Sequence, residues 1–119
     1  MVKYTIKMLQ RASDDLDNIY NHIADDFKEI GTAEKMADAL EDAILSLDEM
    51  PYRGSIRRTG AFANRGYRQI FVKNFTIVYR IDEAKKMVVI VTVRYTPSSF
   101  WYTIGMIILE EQEEHLYLK

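Results

Sequence analysis

The sequence predicts an α+β fold: an N-terminal strand, a hairpin of two helices and an antiparallel meander of three strands. The meander is indicated by three runs of β-branched and aromatic residues between residues 66 and 97, separated by two short polar turns. Links this short join antiparallel strands, because a parallel crossover needs roughly a dozen residues or more. The helices are indicated by two apolar stripes at helical spacing in the first half of the chain.

The first strand is predicted over Val2–Leu9, where apolar and polar residues alternate loosely. Ser13 has the side chain of a helix N-cap, and an apolar stripe from Leu16 to Phe27 follows it. Gly31 is placed to end this first helix. The pattern therefore predicts one strand followed directly by one helix.

A second helix is expected to begin at Thr32 as its N-cap and to stop before Pro51. Its stripe repeats every 3.6 residues and consists of Ala33, Met36, Ala37, Leu40, Ala43, Ile44 and Leu47. Neither helix buries its apolar stripe alone, so we expect the hairpin to pack on the sheet.

The three meander strands are predicted over Tyr67–Val72, Phe75–Ile81 and Met87–Tyr95, with turns at Lys73–Asn74 and Asp82–Lys86. Successive side chains of a strand point to opposite faces. A cationic strand residue with apolar neighbours points to water or to a partner. Each strand carries one such residue: Arg68, Arg80 and Arg94. We therefore expect one face of the sheet to be the functional surface.

The length of 119 residues predicts one domain. We assign residues 1–99 to this domain and residues 100–119 to a C-terminal extension. Phe100–Leu109 is almost wholly apolar, so it is expected to pack on the domain or on a partner, a second copy of the chain included. This tract is too short to span a bilayer as a helix, and the N-terminus lacks a signal-peptide core. A cytoplasmic protein without membrane contact is expected.

Charge is distributed unevenly along the chain. Residues 1–50 carry 5 Lys/Arg and 12 Asp/Glu, residues 51–99 carry 10 and 2, and residues 100–119 carry 1 and 4. A basic surface attracts polyanions, either nucleic acid or an acidic protein segment. In the alternative interpretation, the acidic helices simply neutralise the basic sheet within the fold.

Several common sites lack their residues. There is no cysteine, which excludes disulfides, thiolate nucleophiles and Cys-type zinc sites. No phosphate-binding glycine motif occurs. His22 precedes Asp25 and Asp26, but no third clear ligand accompanies them, so a solvated helix flank is the favoured interpretation. We expect neither a metal nor another cofactor.

The remaining candidates are cationic and aromatic. Arginines that stud the loop at residues 51–65 suit phosphate or carboxylate capture, although a merely solvated loop is an equal alternative. Arginines interleaved with aromatic residues suit an RNA surface, and they suit an interface with an acidic peptide equally well. The candidate binding residues are Arg57, Arg58, Arg65, Arg68, Lys73, Arg80 and Arg94.

The order of these elements resembles the RelE/ParE superfamily of toxins from type II toxin–antitoxin systems. The passages that carry the resemblance are ASDDLDNIYNHIADDF, LSLDEMPYRG, RGYRQIFVKNFTIVYRID and VVIVTVRY, within residues 1–97. The resemblance implies a cognate antitoxin as partner, growth inhibition and plasmid stabilisation. It also implies one of two targets: RelE-like members cut messenger RNA in the ribosome without metal, whereas ParE-like members inhibit DNA gyrase and cut no RNA.

The residues of the RelE-like pattern are incomplete here. Ile70 stands where RelE-like nucleases tend to place a lysine, and Thr76 stands where they place an arginine. If the chain is RelE-like, the resemblance implies the catalytic residues Arg68, Arg80, Arg94 and Tyr95. The missing cations and the long helical hairpin favour a ParE-like gyrase inhibitor that is not an enzyme. The alternatives are a ribosome-dependent mRNA endonuclease and an inactive toxin fold that only binds antitoxin.

Overall fold

The computed structural model describes residues 2–26 and 30–95 and has the predicted α+β architecture. The elements are β1 Thr5–Met8, α1 Gln10–Asn21, α2 Ile30–Ser46, β2 Ser55–Ile56, β3 Arg68–Val72, β4 Phe75–Asp82 and β5 Met87–Tyr95. A π-helical turn at His22–Asp26 follows α1, and a 3-10 turn at Pro51–Arg53 precedes β2. The predicted extension, residues 100–119, lies outside the described residues, as does Phe27 of the first predicted stripe.

The five strands form one sheet in the order β1-β5-β4-β3-β2. The predicted meander is present, since β3, β4 and β5 pair antiparallel in succession. β1 is parallel to β5, so the two helices and the meander together form the connection between these neighbours. β2 lies within the stretch predicted to be irregular, and that part of the prediction is wrong because Ser55 and Ile56 pair with Gln69 and Arg68.

Both predicted helix starts are wrong. α1 begins at Gln10 behind Leu9, which provides no side-chain cap, so Ser13 lies inside the helix. Ala12 is fully buried in the core, and this packing fixes the first turn more strongly than a capping preference does. α2 begins at Ile30, so Gly31 lies inside its first turn instead of ending α1, and Thr32 is likewise internal.

The core lies between the helices and one face of the sheet. Leu40 and Ile44 of α2 and Leu47 in the turn after it pack against buried side chains of β3, β4 and β5. The sheet contributes Ile70, Phe75, Ile77, Tyr79, Val88, Ile90 and Val93. This arrangement confirms that the hairpin packs on the meander. None of the described helices is long and apolar enough to cross a membrane.

Tyr79 fixes the chain that links α2 to the sheet. Its hydroxyl donates to the Pro51 carbonyl at 2.6 Å and accepts from the Gly54 amide at 3.1 Å, both in a buried environment. A Cβ atom at Gly54 would lie 2.4 Å from the Tyr79 hydroxyl and 2.5 Å from the Gln69 carbonyl oxygen. Only glycine therefore fits at position 54 without displacing β3 or β4.

Candidate functional site

The sheet divides the candidate residues between two faces. We call the face packed on the helices the near face and the opposite face of β3, β4 and β5 the far face. Cross-strand pairing places Gln69 beside Val78 and Val78 beside Thr92, and it places Thr76 beside Arg94. Since Ile70, Ile77 and Val93 belong to the core on the near face, the side chains that alternate with them occupy the far face. These far-face residues are Gln69, Phe71, Thr76, Val78, Arg80, Asp82, Met87, Val89, Thr92 and Arg94.

A basic loop connects β2 to β3 and reaches over the far face. The Arg57 amide donates to the Tyr67 carbonyl at 2.9 Å, and the Asn64 amide donates to the Arg57 carbonyl at 3.0 Å. The Arg57 guanidinium donates through Nη1 to Gln69 Oε1 at 2.9 Å and through Nε to the Ala61 carbonyl at 2.6 Å. Because Gln69 is a far-face residue, these bonds hold Arg57 over that face.

An aromatic contact anchors the tip of the same loop. Phe62 and Asn64 have positive φ angles of 68° and 59°, in the left-handed region that turns the backbone sharply. The Phe62 ring packs edge-on against Tyr67, with 5.3 Å between ring centroids. The Arg11 guanidinium of α1 lies 5.6 Å from the Phe62 centroid. The loop is therefore an ordered part of the site, tied to both β3 and α1.

Arg57 and Arg94 are cationic neighbours. Burial lowers the pKa of the Arg57 guanidinium below its usual range, and the charge of Arg94 lowers it further. The described residues offer these arginines no acid: their ion pairs join Lys3 to Asp48 and Glu49, and Lys86 to Glu83. Since both guanidinium groups remain charged, the far face presents positive charge that an anionic partner would neutralise.

Thr76 adds an unpartnered polar atom beside Arg94. Its side chain is fully buried, and within the described ranges its Oγ1 makes no hydrogen bond. Thr92, the next far-face residue along β5 from Arg94, is 2% exposed. Its hydroxyl donates to Asp15 Oδ2, and the same oxygen accepts from the Val93 amide at 3.0 Å. Asp15 thus ties α1 to the edge of β5 where β1 has ended.

Arg68 lies on the near face, away from Arg80 and Arg94. Its Nη1 donates to the Gly54 carbonyl at 2.7 Å, and its guanidinium carbon lies 5.0 Å from the centre of the Tyr52 ring. These contacts hold the 3-10 turn against β3. The donors of Arg68 are therefore engaged within the fold, whereas those of Arg94 bond to no other residue that the structure describes.

Tyr95 also lies on the near face, because it follows Arg94 on the same strand and pairs with Phe75. It is 67% exposed, and its ring meets that of Phe75 edge-on with 5.6 Å between centroids. The four residues of the RelE-like catalytic set are therefore split: two on each face of the sheet.

The three other predicted binding residues are exposed at the surface. Arg58 and Arg65 lie in the basic loop, and Lys73 lies in the turn between β3 and β4 with a φ of 55°. Among the described side chains, none of the three is held by a hydrogen bond or ion pair to another residue. They are free to contribute charge around the far face.

A cluster of hydrogen bonds centred on Glu83 was not predicted from the sequence. Its carboxylate accepts from Tyr4 at 2.9 Å, from Tyr52 and from Lys86. Bonds to Lys86 and to the two tyrosines lower the pKa of Glu83 to about 2. The cluster joins β1, the 3-10 turn and the β4–β5 turn. No spacing in the sequence signals it, because Tyr4 and Glu83 are 79 residues apart.

The comparisons with known proteins agree with this architecture. Residues 6–97 match the model of the family described as ParE toxin of type II toxin–antitoxin system, parDE. The chain belongs to the ParE toxin family. No curated protein matches the sequence.

Solved structures share the ParE-family fold at low sequence identity. A structure of the chromosomal ParDE system from P. aeruginosa is 20% identical, with a TM-score of 0.65 over 79% of this chain and 97% of that one. The RelBE2 complex from Mycobacterium tuberculosis is 22% identical, with a TM-score of 0.60 over 80% of this chain and 93% of that one. The isolated E. coli RelE toxin is 14% identical, with a TM-score of 0.57 over 89% of this chain and 98% of that one. These similarities establish the fold.

Proposed function

We propose that this ParE-family toxin inhibits DNA gyrase through a protein–protein contact, without bond chemistry. The observation that carries the proposal is the split of the nuclease candidates by the sheet, with Arg68 and Tyr95 on the near face and Arg80 and Arg94 on the far face. Phosphate cleavage needs cations and an acid–base group aimed at one reacting centre. Groups on opposite faces of a sheet do not meet there.

The far face suits binding to an acidic protein surface. Arg57, Arg80 and Arg94 share it, and Arg58 and Arg65 are exposed in the loop above it. Arginine is favoured as an anchor at protein interfaces because its fork pairs with carboxylates in two places. A bond to a charged group contributes about 1.5–3 kcal/mol, so each engaged arginine is expected to change affinity by at least about tenfold.

A supercoiling assay tests this proposal. The purified full-length chain should inhibit gyrase, and Arg94→Gln should raise the half-inhibitory concentration by about tenfold or more. Arg94 is the most informative position, because its side chain is bonded to no other described residue, so its replacement removes no hydrogen bond or ion pair within that part of the chain. Lys35→Gln on the exposed surface of α2 is the matched control, since it removes one charge away from the far face. Unimpaired supercoiling at saturating toxin would refute the proposal.

The runner-up is a RelE-like, ribosome-dependent mRNA endonuclease. The specific observation in its favour is the charge of Arg57 and Arg94 on the far face, which forms an ion pair with no described acid and suits a phosphodiester as well as a carboxylate. Primer extension on translated mRNA decides it. New 5′ ends at A-site codons that disappear in Arg94→Ala would establish the nuclease, and their absence from wild type excludes it. If growth is unchanged on induction without antitoxin, the chain is an inactive toxin fold.

A cognate antitoxin is the proposed partner in each case. The related structures from P. aeruginosa and M. tuberculosis belong to a ParDE system and a RelBE2 toxin–antitoxin complex. If the antitoxin neutralises the far face, binding should weaken with rising salt, because the contact is then between exposed charges. The measurement is a titration of the complex at increasing ionic strength, and affinity that is indifferent to salt would place the antitoxin on an apolar surface instead.

A further inference from the structure

An open apolar groove lies at the end of the near face, next to the turn between β3 and β4. Its volume is about 550 Å³, and its apolar lining comes from Ile19, Ile23, Met36, Phe75 and Tyr95. Asn18, His22 and Asn74 also line it, but among the described residues no Asp, Glu, Lys or Arg does. The groove is therefore a surface for an uncharged apolar segment, and it differs in both position and chemistry from the cationic far face.

The last described strand delivers the chain to this groove. β5 ends at Tyr95, which is itself part of the groove wall. Five residues further on begins the uncharged tract Phe100–Leu109, FWYTIGMIIL. Five residues span up to about 17 Å, which is enough to cross an open groove whose wall is the starting point.

The volume of the groove matches the size of the first side chains of the tract. An apolar cavity of about 150 Å³ accommodates one benzene ring. The groove therefore accommodates about three ring-sized groups on the same scale, and the tract opens with three consecutive aromatic residues, Phe100, Trp101 and Tyr102. Burying them in the groove removes apolar surface from water on both partners, which is the main favourable term for such a contact.

We propose that the groove binds the chain's own segment Phe100–Leu109. The segment is tethered at the groove wall, so its docking is intramolecular and does not depend on protein concentration. An acidic partner segment finds no lysine or arginine among the described residues of the lining, and a second copy would have to compete with a segment tethered at the groove wall. The inference is independent of whether gyrase or mRNA is the target.

Trp101 provides a direct test because it is the only tryptophan in the sequence. In the full-length chain its fluorescence should be blue-shifted and protected from an aqueous quencher. Met36→Lys puts a charge into the groove and should abolish both effects. Leu45→Lys is the matched control: Leu45 lies on the same helix, is 54% exposed and faces the other side, so the emission should stay as in wild type.

A second variant guards against misfolding. Tyr95→Ser removes a groove-wall ring that is 67% exposed, so it leaves the core filled and should likewise expose Trp101. Far-UV circular dichroism should remain unchanged in all variants. Solvent-exposed emission in wild type would overturn the proposal, as would buried emission that ignores both groove variants. Emission that turns blue only as the protein concentration rises would overturn it too, because the tract would then dock between two copies.

Discussion

Thr76 and Thr92 occupy neighbouring strands of the far face and differ in what their hydroxyls do. Thr76 is fully buried, and its Oγ1 has no hydrogen-bond partner in the part of the chain that the structure describes. Thr92 is 2% exposed, and its hydroxyl donates to the Asp15 carboxylate. The same substitution, threonine to valine, should therefore act in opposite directions at the two positions.

The magnitudes follow from the state of each hydroxyl. Burying a hydroxyl without a partner costs about 1–3 kcal/mol in proteins, so Thr76→Val should raise the free energy of unfolding by about 1 kcal/mol. A hydrogen bond to a charged group is worth about 1.5–3 kcal/mol, so Thr92→Val should lower that free energy by about 2 kcal/mol. Valine keeps the β-branched shape and a high strand propensity at both positions, so backbone preferences cancel in the comparison.

Urea denaturation measures both free energies. At about 4 °C per kcal/mol for a chain of this size, the two melting temperatures should differ by about 12 °C. The dependence of unfolding on urea concentration should be the same in both variants, because neither changes the surface that unfolding exposes. Destabilisation by Thr76→Val to the same degree as by Thr92→Val would refute the reasoning, since it would mean that the Thr76 hydroxyl has a partner.

Three further predictions concern the frame that supports the far face. Gly54→Ala should lower the free energy of unfolding by about 3 kcal/mol, because its Cβ would collide with buried atoms. The control Gly31→Ala, whose Cβ would have no atom within 4 Å, should raise that free energy by up to about 1 kcal/mol. Urea titration of both variants measures the two changes. Glu83 has a pKa of about 2 in the folded protein against 4.5 ordinarily, so its contribution to the free energy of unfolding is present above pH 4.5 and is lost as the pH falls towards 2. Glu83→Gln should therefore reduce the dependence of the free energy of unfolding on pH between 4.5 and 2. An equal dependence in wild type and variant would contradict this. Burial raises the pKa of Tyr79 above 10.0, so its contribution to the free energy of unfolding is present below that pH and is lost above it. Tyr79→Phe should therefore reduce the fall of that free energy at alkaline pH, measured by urea titration. An unchanged fall would contradict this.

The meander could be predicted from the sequence because its signals are local. Alternation of β-branched residues and two short turns define β3, β4 and β5 almost to the residue. The helix starts could not be predicted, because the intrinsic preferences of Ser13 and Gly31 favour a cap and a helix end, whereas both residues lie inside helices. Burial of Ala12 against the sheet decides where α1 begins, and that contact forms between residues distant in sequence.

The candidate site was only half predictable for a similar reason. Composition identified its arginines, and alternation within β5 placed Arg94 and Tyr95 on opposite faces. Alternation says nothing about pairing between strands, so it could not show that Arg68 and Arg80 lie on different faces. Nor could it find the bond from Arg57 to Gln69, which depends on how the loop folds back.

One irregularity in β5 decides on which face of the sheet Arg94 and Tyr95 lie. Arg80 pairs with Val89, and regular pairing from there would place Val93 opposite Thr76 and turn Arg94 to the near face. The register instead shifts between Val78 and Tyr79, so that Val91 is the extra residue of a bulge.

The bulge turns Arg94 to the far face, where it joins Arg80 and the loop that carries Arg57, and it sends Tyr95 to the groove on the near face. Alternation alone separates Arg94 from Tyr95, and the single inserted residue decides which face of the sheet each of them takes. The same strand end thus contributes to two surfaces of different chemistry: a cationic one, for which we propose an acidic partner, and an apolar one, for which we propose the tract that follows β5. On this geometry, binding at the far face and docking at the near face can be altered independently, by Arg94→Gln in the first case and Met36→Lys in the second.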